Sequence, residues 1–221
     1  MSICVIVFSN PKSLEAKMNT AIKCGGEKSA PAMKTAKIIR VITVPPIMAL
    51  AAFISFLFAE GFYKNVWECI AAIGFIALLP VCAYPLQRVI PPFKHQGREG
   101  QRNLAFIMCN LGYILSVIYA MIFKAGTPVT VMLITYLLSG MTLLLVNKLF
   151  GFKASGHSCG LLGPLSAITY FVSPWALPIG MTLFVLALWS SLLMKRHTLM
   201  QFIVGGAIPV LWLFVVGALM L

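Results

Sequence analysis

Aspartate is absent from this chain of 221 residues, and acids of any kind are scarce. The carboxylates are Glu15, Glu27, Glu60, Glu68 and Glu99, and no two are close in sequence. Hard cations are held by clustered carboxylates. The chain therefore cannot build the aspartate-rich diphosphate sites of metal-dependent membrane transferases. A metal-dependent hydrolase would have to manage with three histidines: His95, His157 and His197. Charge is scarce altogether, at 10% of residues, with 60% hydrophobic and a mean hydropathy of +0.96. A soluble helical bundle needs far more polar surface than this, and disorder needs far less apolar content. The six cysteines (4, 24, 69, 82, 109 and 159) have no CxxC spacing. They support neither a zinc site nor a disulfide framework. No metal and no cofactor is expected, and no nucleic-acid partner.

Long apolar runs are what the chain does have. A membrane span needs about 20 mostly apolar residues. The runs predict six or seven spans, roughly at 41–62, 66–87, 103–123, 127–147, 158–173, 176–194 and 199–221. The expected fold is all-α, a polytopic transmembrane helical bundle over residues 41–221. Residues 1–40 read as a basic tail or an amphipathic surface segment. Their one apolar run, Ile3 to Phe8, is too short for a signal-peptide core.

The net charge of +12 is unevenly placed. If seven spans alternate, the head, residues 88–102, residues 148–157 and the turn near 195 all lie on one face. That face takes every cation except Lys64 and Lys124. Such a bias marks the cytoplasmic side. The expected location is an integral membrane protein, in the cell membrane, with this face inside.

All three histidines fall on the same face. His157 follows Lys153, Ser155 and Gly156 at the start of the fifth span. Serine is a good helix N-cap, and the free amides of a helix start attract phosphate. Lys153 adds a point charge, Gly156 permits close approach of an anion, and His157 stands ready to move a proton. An ordinary cap beside a snorkelling lysine fits the same residues. His197 and Gln201 are four apart and share a helical face. The Gln201 oxygen can then take one ring proton of His197 and leave the other nitrogen bare, as a nucleophile requires. Beside them, Lys195 and Arg196 also read as an interfacial anchor. Lys94, Arg98 and Arg102 recur every four residues, and Gly97 and Gly100 favour a loop there. Three neighbouring cations suit a shared anion, with arginine able to grip a diphosphate in bidentate fashion.

The order of these elements resembles the type 2 phosphatidic acid phosphatase superfamily of membrane lipid phosphatases. The pattern there is Lys-x6-Arg-Pro, then Pro-Ser-Gly-His, then Ser-Arg-x5-His-x3-Asp. Ser155-Gly156-His157 matches the second part, with Ala154 for proline. Ser190 and His197 match the third, with Ser191 for arginine and Gln201 for aspartate. Lys94 and Arg102 match the first loosely, with Asn103 for proline. His-Thr-x-x-Gln is similar to the third motif of dolichyl-diphosphatase-like members.

The resemblance implies metal-independent hydrolysis of a lipid phosphate or diphosphate ester through a phosphohistidine, with a membrane lipid as substrate. It implies His197 as nucleophile, His157 as general acid and Ser155 as a phosphate ligand. Lys94, Arg98, Arg102, Lys153, Gly156 and Arg196 complete the expected anion site. Arg98 is the expected substitute for the arginine lost at Ser191. The alternative is a membrane protein that keeps the fold and binds lipid phosphate without turnover. A small transporter ranks third: Pro45-Pro46, Pro80, Pro85 and Pro209 could break helices, but no ionisable residue accompanies them.

Overall fold

The computed structural model describes residues 30–221, leaving aside the side chains of Ala30 and Arg98. The head before residue 30 lies outside the described residues. Every regular element in the described part is helical. They are α1 (Ala30–Ile42), α2 (Pro45–Ser55, extended by a 3-10 turn, Phe56–Phe58), a broken helix α3 (Val66–Leu86), α4 (Pro91–Lys94), α5 (Gly97–Ile122), α6 (Thr127–Leu149), α7 (Gly156–Phe171), α8 (Ala176–Leu193) and α9 (Leu199–Met220).

Five of these, α3, α5, α6, α8 and α9, are long and apolar enough to cross a membrane, and α1 with α2 forms a sixth only if the bent pair counts as one. The chain is thus a multi-pass helical membrane protein. The expected fifth span is α7, which has only 16 residues, or about 24 Å of helix. It falls short of a full bilayer core and is instead wrapped by protein, packing against α9, α2 and α8.

The break between α1 and α2 is written in Pro45-Pro46. Proline is welcome in the first turn of a helix, where its missing amide is not needed, but it disfavours a helical backbone at the preceding residue. Val44 is accordingly extended, and α1 and α2 meet at 48°. Pro209, by contrast, does not break α9, which runs unbroken from Leu199 to Met220. Pro80 and Pro85 sit in α3, whose middle, Ile73–Leu78, is wound as a wide π-helix.

The boundary expected at residue 40 falls inside a helix. α1 packs along α8, with Ala36 fully buried and the Ser190 hydroxyl donating to the Ala36 carbonyl at 2.7 Å. The exposed side of α1 carries Lys34 and Lys37 in its earlier turns and Ile38, Val41 and Ile42 in its last. That last stretch, with apolar side chains out and one Arg40 nitrogen buried, is suited to lipid. Segment 88–102 is also more ordered than its glycines suggest. Gly97 takes a left-handed turn (φ +53°) and α5 begins there. Arg98 and Arg102 therefore occupy one helical face, and Lys94 belongs to the separate helix α4.

The end of the bundle away from the histidines is held by aromatic packing. Phe56 stacks on Phe62 with ring centroids 4.2 Å apart, and Phe171, at the end of α7, meets Phe62 edge-on at 5.0 Å. Exposed Phe58, Trp67, Phe123 and Trp175 surround this end, as interfacial aromatic residues do. Next to it, buried Glu68 joins two loops. Its carboxylate accepts the Lys64 amide and the Gly126 amide, each at 3.0 Å. Glu68→Ala strands both donors, at about 1–3 kcal/mol each. The thermal midpoint of the detergent-solubilised protein should fall clearly, and a midpoint within error of wild type would refute this clasp.

Candidate functional site

Three elements meet at the other end. The loop before α7 crosses the first turns of α9. The Ser155 amide donates to the Gln201 carbonyl at 2.9 Å, and the Gln201 side-chain amide donates to the Phe152 carbonyl at 3.3 Å. Gly205 makes this crossing possible, since a Cβ there would lie 2.4 Å from the Ser155 carbonyl oxygen. Farther along α7, Gly160 admits Pro45 of α2 just as closely. The α7 start, the α9 start and the α1–α2 bend are thereby locked together.

Ser155 is the N-cap of α7, its hydroxyl accepting the Ser158 amide at 3.2 Å, and it is fully buried. That hydroxyl keeps its own proton for another acceptor. His157 follows two residues later, 9% exposed. One of its ring nitrogens, Nε2, lies 3.0 Å from the hydroxyl oxygen of Thr43. His197 sits half-buried in the turn before α9. Thr198 and Gln201 close a reciprocal capping box there, the Gln201 oxygen accepting the Thr198 amide at 3.1 Å. Gln201 is therefore first a cap and a tether for Phe152. Its side chain also stands within hydrogen-bonding reach of His197, where it favours the protonated ring.

The electrostatics show which cations belong to the site. Burial pushes His157 down to about 3, and Arg40 and His197 act in the same direction. His197 is also lowered, first by burial, then by Arg40, with Arg102 and Arg196 adding to it against the opposing Gln201. Of the expected anion ligands, Arg102 and Arg196, both exposed, thus act on His197 but not on His157. Lys94 and Lys153 are exposed and are not among the charges acting on either ring. Lys153 and Lys195 both have left-handed backbones (φ 57° and 52°), which shapes the turns preceding the two histidines. Arg98 lies on the first turn of α5, and its side chain is outside the described part. Ser191, where the resembled pattern has arginine, is fully buried, and its hydroxyl has no hydrogen-bond partner among the described residues.

Arg40 and Thr43 are the residues that motif reasoning missed. The signal was present, because Arg40 is embedded between Ile38-Ile39 and Val41-Ile42. A cation set in an apolar run reads as functional.

No family model, no curated protein and no solved structure matches the chain. The site stands on its geometry: two neutral-leaning histidines, a buried serine cap and several arginines at one end of a bundle. Among the described residues, no three His, Cys, Asp or Glu side chains gather as metal ligands.

The depressed histidines carry a consequence for stability. Unfolded histidine titrates near 6.5, so between about pH 6.5 and 3 the unfolded chain binds the proton that folded His157 refuses. The contribution of a neutral His157 is present above 6.5 and is lost as pH falls. Thermal midpoints in detergent should drop from pH 7.5 to pH 5, and His157→Gln should flatten that slope. An equal slope in both proteins would contradict the buried, neutral ring.

Proposed function

We propose that the chain is a polytopic membrane hydrolase of lipid phosphate or diphosphate esters, working without a metal through a phosphohistidine on His197. The supporting observation is the crossing of the Ser155 turn over the first turn of α9, which holds His157 and His197 at one arginine-lined site. In this reading a ring nitrogen of His197 attacks the terminal phosphorus, and the bond from it to the bridging oxygen of a diphosphate, or to the lipid oxygen of a monoester, breaks. His157 delivers a proton to that leaving oxygen. Water then attacks the phosphohistidine, giving its proton to His157 and freeing inorganic phosphate. Polyprenyl diphosphate is the preferred substrate class, phosphatidate the second.

The short helix α7 and the bent α1–α2 pair both count as crossings in this proposal, giving seven. The histidine end faces the cytoplasm and the aromatic end faces outward. The purified protein should release phosphate from at least one of these lipids in excess EDTA. In cells, a cysteine placed at exposed Lys195 should resist membrane-impermeant thiol reagents. Release that requires added metal would defeat the mechanism, and labelling from outside would defeat the sidedness.

Buried Ser191 favours a second reading, a protein that binds lipid phosphate without turnover. In that case the Ser191→Arg variant gains phosphate release that wild type lacks.

A further inference from the structure

The α1–α2 bend is a working part of the phosphate site, and this inference builds on the site proposed above. Thr43 has one hydroxyl proton, and it is donated to the Ile39 carbonyl at 2.8 Å. The contact of 3.0 Å with His157 must then run the other way, from the ring Nε2–H to the Thr43 oxygen. In a neutral histidine with Nε2 protonated, Nδ1 is bare. His157 therefore rests as a base, and needs a proton before it can act as an acid. Thr43 itself is 1% exposed, so water does not compete for its oxygen.

Arg40 lies three residues before Thr43. The Thr43 amide continues the helix by donating to the Ile39 carbonyl at 2.9 Å, so the two side chains share a helical face. One guanidinium nitrogen of Arg40 is buried on that inward face. α1 is held there by the Ser190–Ala36 hydrogen bond, one residue from buried Ser191. The charges acting on His157 are Arg40 and His197, and those on His197 are Arg40, Arg102 and Arg196. Among the described residues, no carboxylate acts on either ring.

We propose that Arg40 grips the phosphate group and that Thr43 is a positioning residue, fixing His157 with Nδ1 toward the bound anion, where it takes up a proton. The arginine displaced from α8 by Ser191 is thus supplied by the helix packed against α8. The ligand chemistry is a phosphomonoester dianion, either free phosphate or a lipid head group. A dianion beside the ring reverses the local field and favours protonation. Arg40 is the arginine whose charge acts on both rings, and Arg102 and Arg196 act on His197.

The test is calorimetric titration of the purified full chain with orthophosphate, and separately with short-chain phosphatidate, in two buffers of different ionisation enthalpy at pH 7. Wild type should bind with net proton uptake. Arg40→Gln should weaken binding by at least about tenfold, the loss of one charge-assisted contact, and Arg40→Lys should recover part of it. Thr43→Val should bind with reduced proton uptake, and Thr43→Ser should restore it. Recovery in the lysine and serine variants separates a local role from failure to fold. Arg40-dependent binding of phosphatidate but not of orthophosphate supports the inference for a lipid head group only, and binding of both supports it for phosphate as such. No binding of either, or equal binding in Arg40→Gln, overturns it. Arg40-dependent binding in a protein with no turnover sustains this inference while sinking the hydrolase proposal.

Discussion

Replacing His197 with alanine should abolish phosphate release, by at least about a thousandfold, because a nucleophile has no substitute when the chemistry passes through a covalent intermediate. The variant is also a clean one. His197 lies half-buried in the turn before α9, while the capping box there is made by Thr198 and Gln201 and survives its removal. The thermal midpoint should therefore stay close to wild type. His157→Ala is the informative partner. It removes the acid but not the nucleophile, so it should depress release from a lipid alkoxide strongly. It should spare the initial release of phenol from an aryl phosphate, whose leaving group needs no proton, while breakdown of the phosphohistidine slows. Acid-labile phosphate on the protein should be trapped in His157→Ala and be missing in His197→Ala. Equal activity in wild type and His197→Ala would end the phosphohistidine mechanism.

The second large effect is expected far from any ionisable group. Gly205→Ala should damage the site although it touches neither histidine. The added methyl would lie 2.4 Å from the Ser155 carbonyl oxygen and 2.8 Å from its amide nitrogen, both backbone atoms. The turn must move, and with it go the Ser155–Gln201 and Gln201–Phe152 hydrogen bonds that hold His157 beside His197. Overpacking of this kind costs about 1–3 kcal/mol, and a displacement of about 1 Å at a reacting group can cost a hundredfold in rate. Its neighbour is the control. A methyl at Gly206 would meet the ends of side chains, Leu162 Cδ1 at 2.7 Å and Ser158 Oγ at 2.8 Å, which can swing aside. Gly206→Ala should cost less in both stability and phosphate release. If the two alanines behave alike, the Ser155–α9 crossing is not what aligns the site.

The bundle was legible because apolar runs of span length have few other uses, and the approach of the two histidines followed from counting two antiparallel helices between them. Gln201 was legible as a partner on the His197 face, but not as a cap, because the capping box depends on where α9 starts. Segment 88–102 misled because two glycines outweigh helix formers in local statistics, whereas the long helix α5 extends back over them to Gly97. Arg40 was hidden by its company. Six other cations stand in the first 40 residues, and such a cluster reads as a topology signal. Only the docking of α1 on α8 shows that one of them turns inward. Pro45-Pro46 was legible as a possible helix break but not as a bend joining two packed helices, and nothing local tells that Thr43 meets a residue 114 positions later.

That separation bears on how the protein is made. Ribosomes deliver the chain from its first residue to its last, so Arg40 and Thr43 enter the bilayer early and wait. Five helices, α2 to α6, intervene before His157 joins them, and the Gln201 carbonyl that clasps its turn comes with α9. A nascent chain halted after α1 and before α9 therefore has Arg40 and Thr43 but lacks the Gln201 carbonyl that closes on the Ser155 turn. The turn that carries His157 is clasped only once α9 inserts and brings the Gln201 carbonyl to the Ser155 amide.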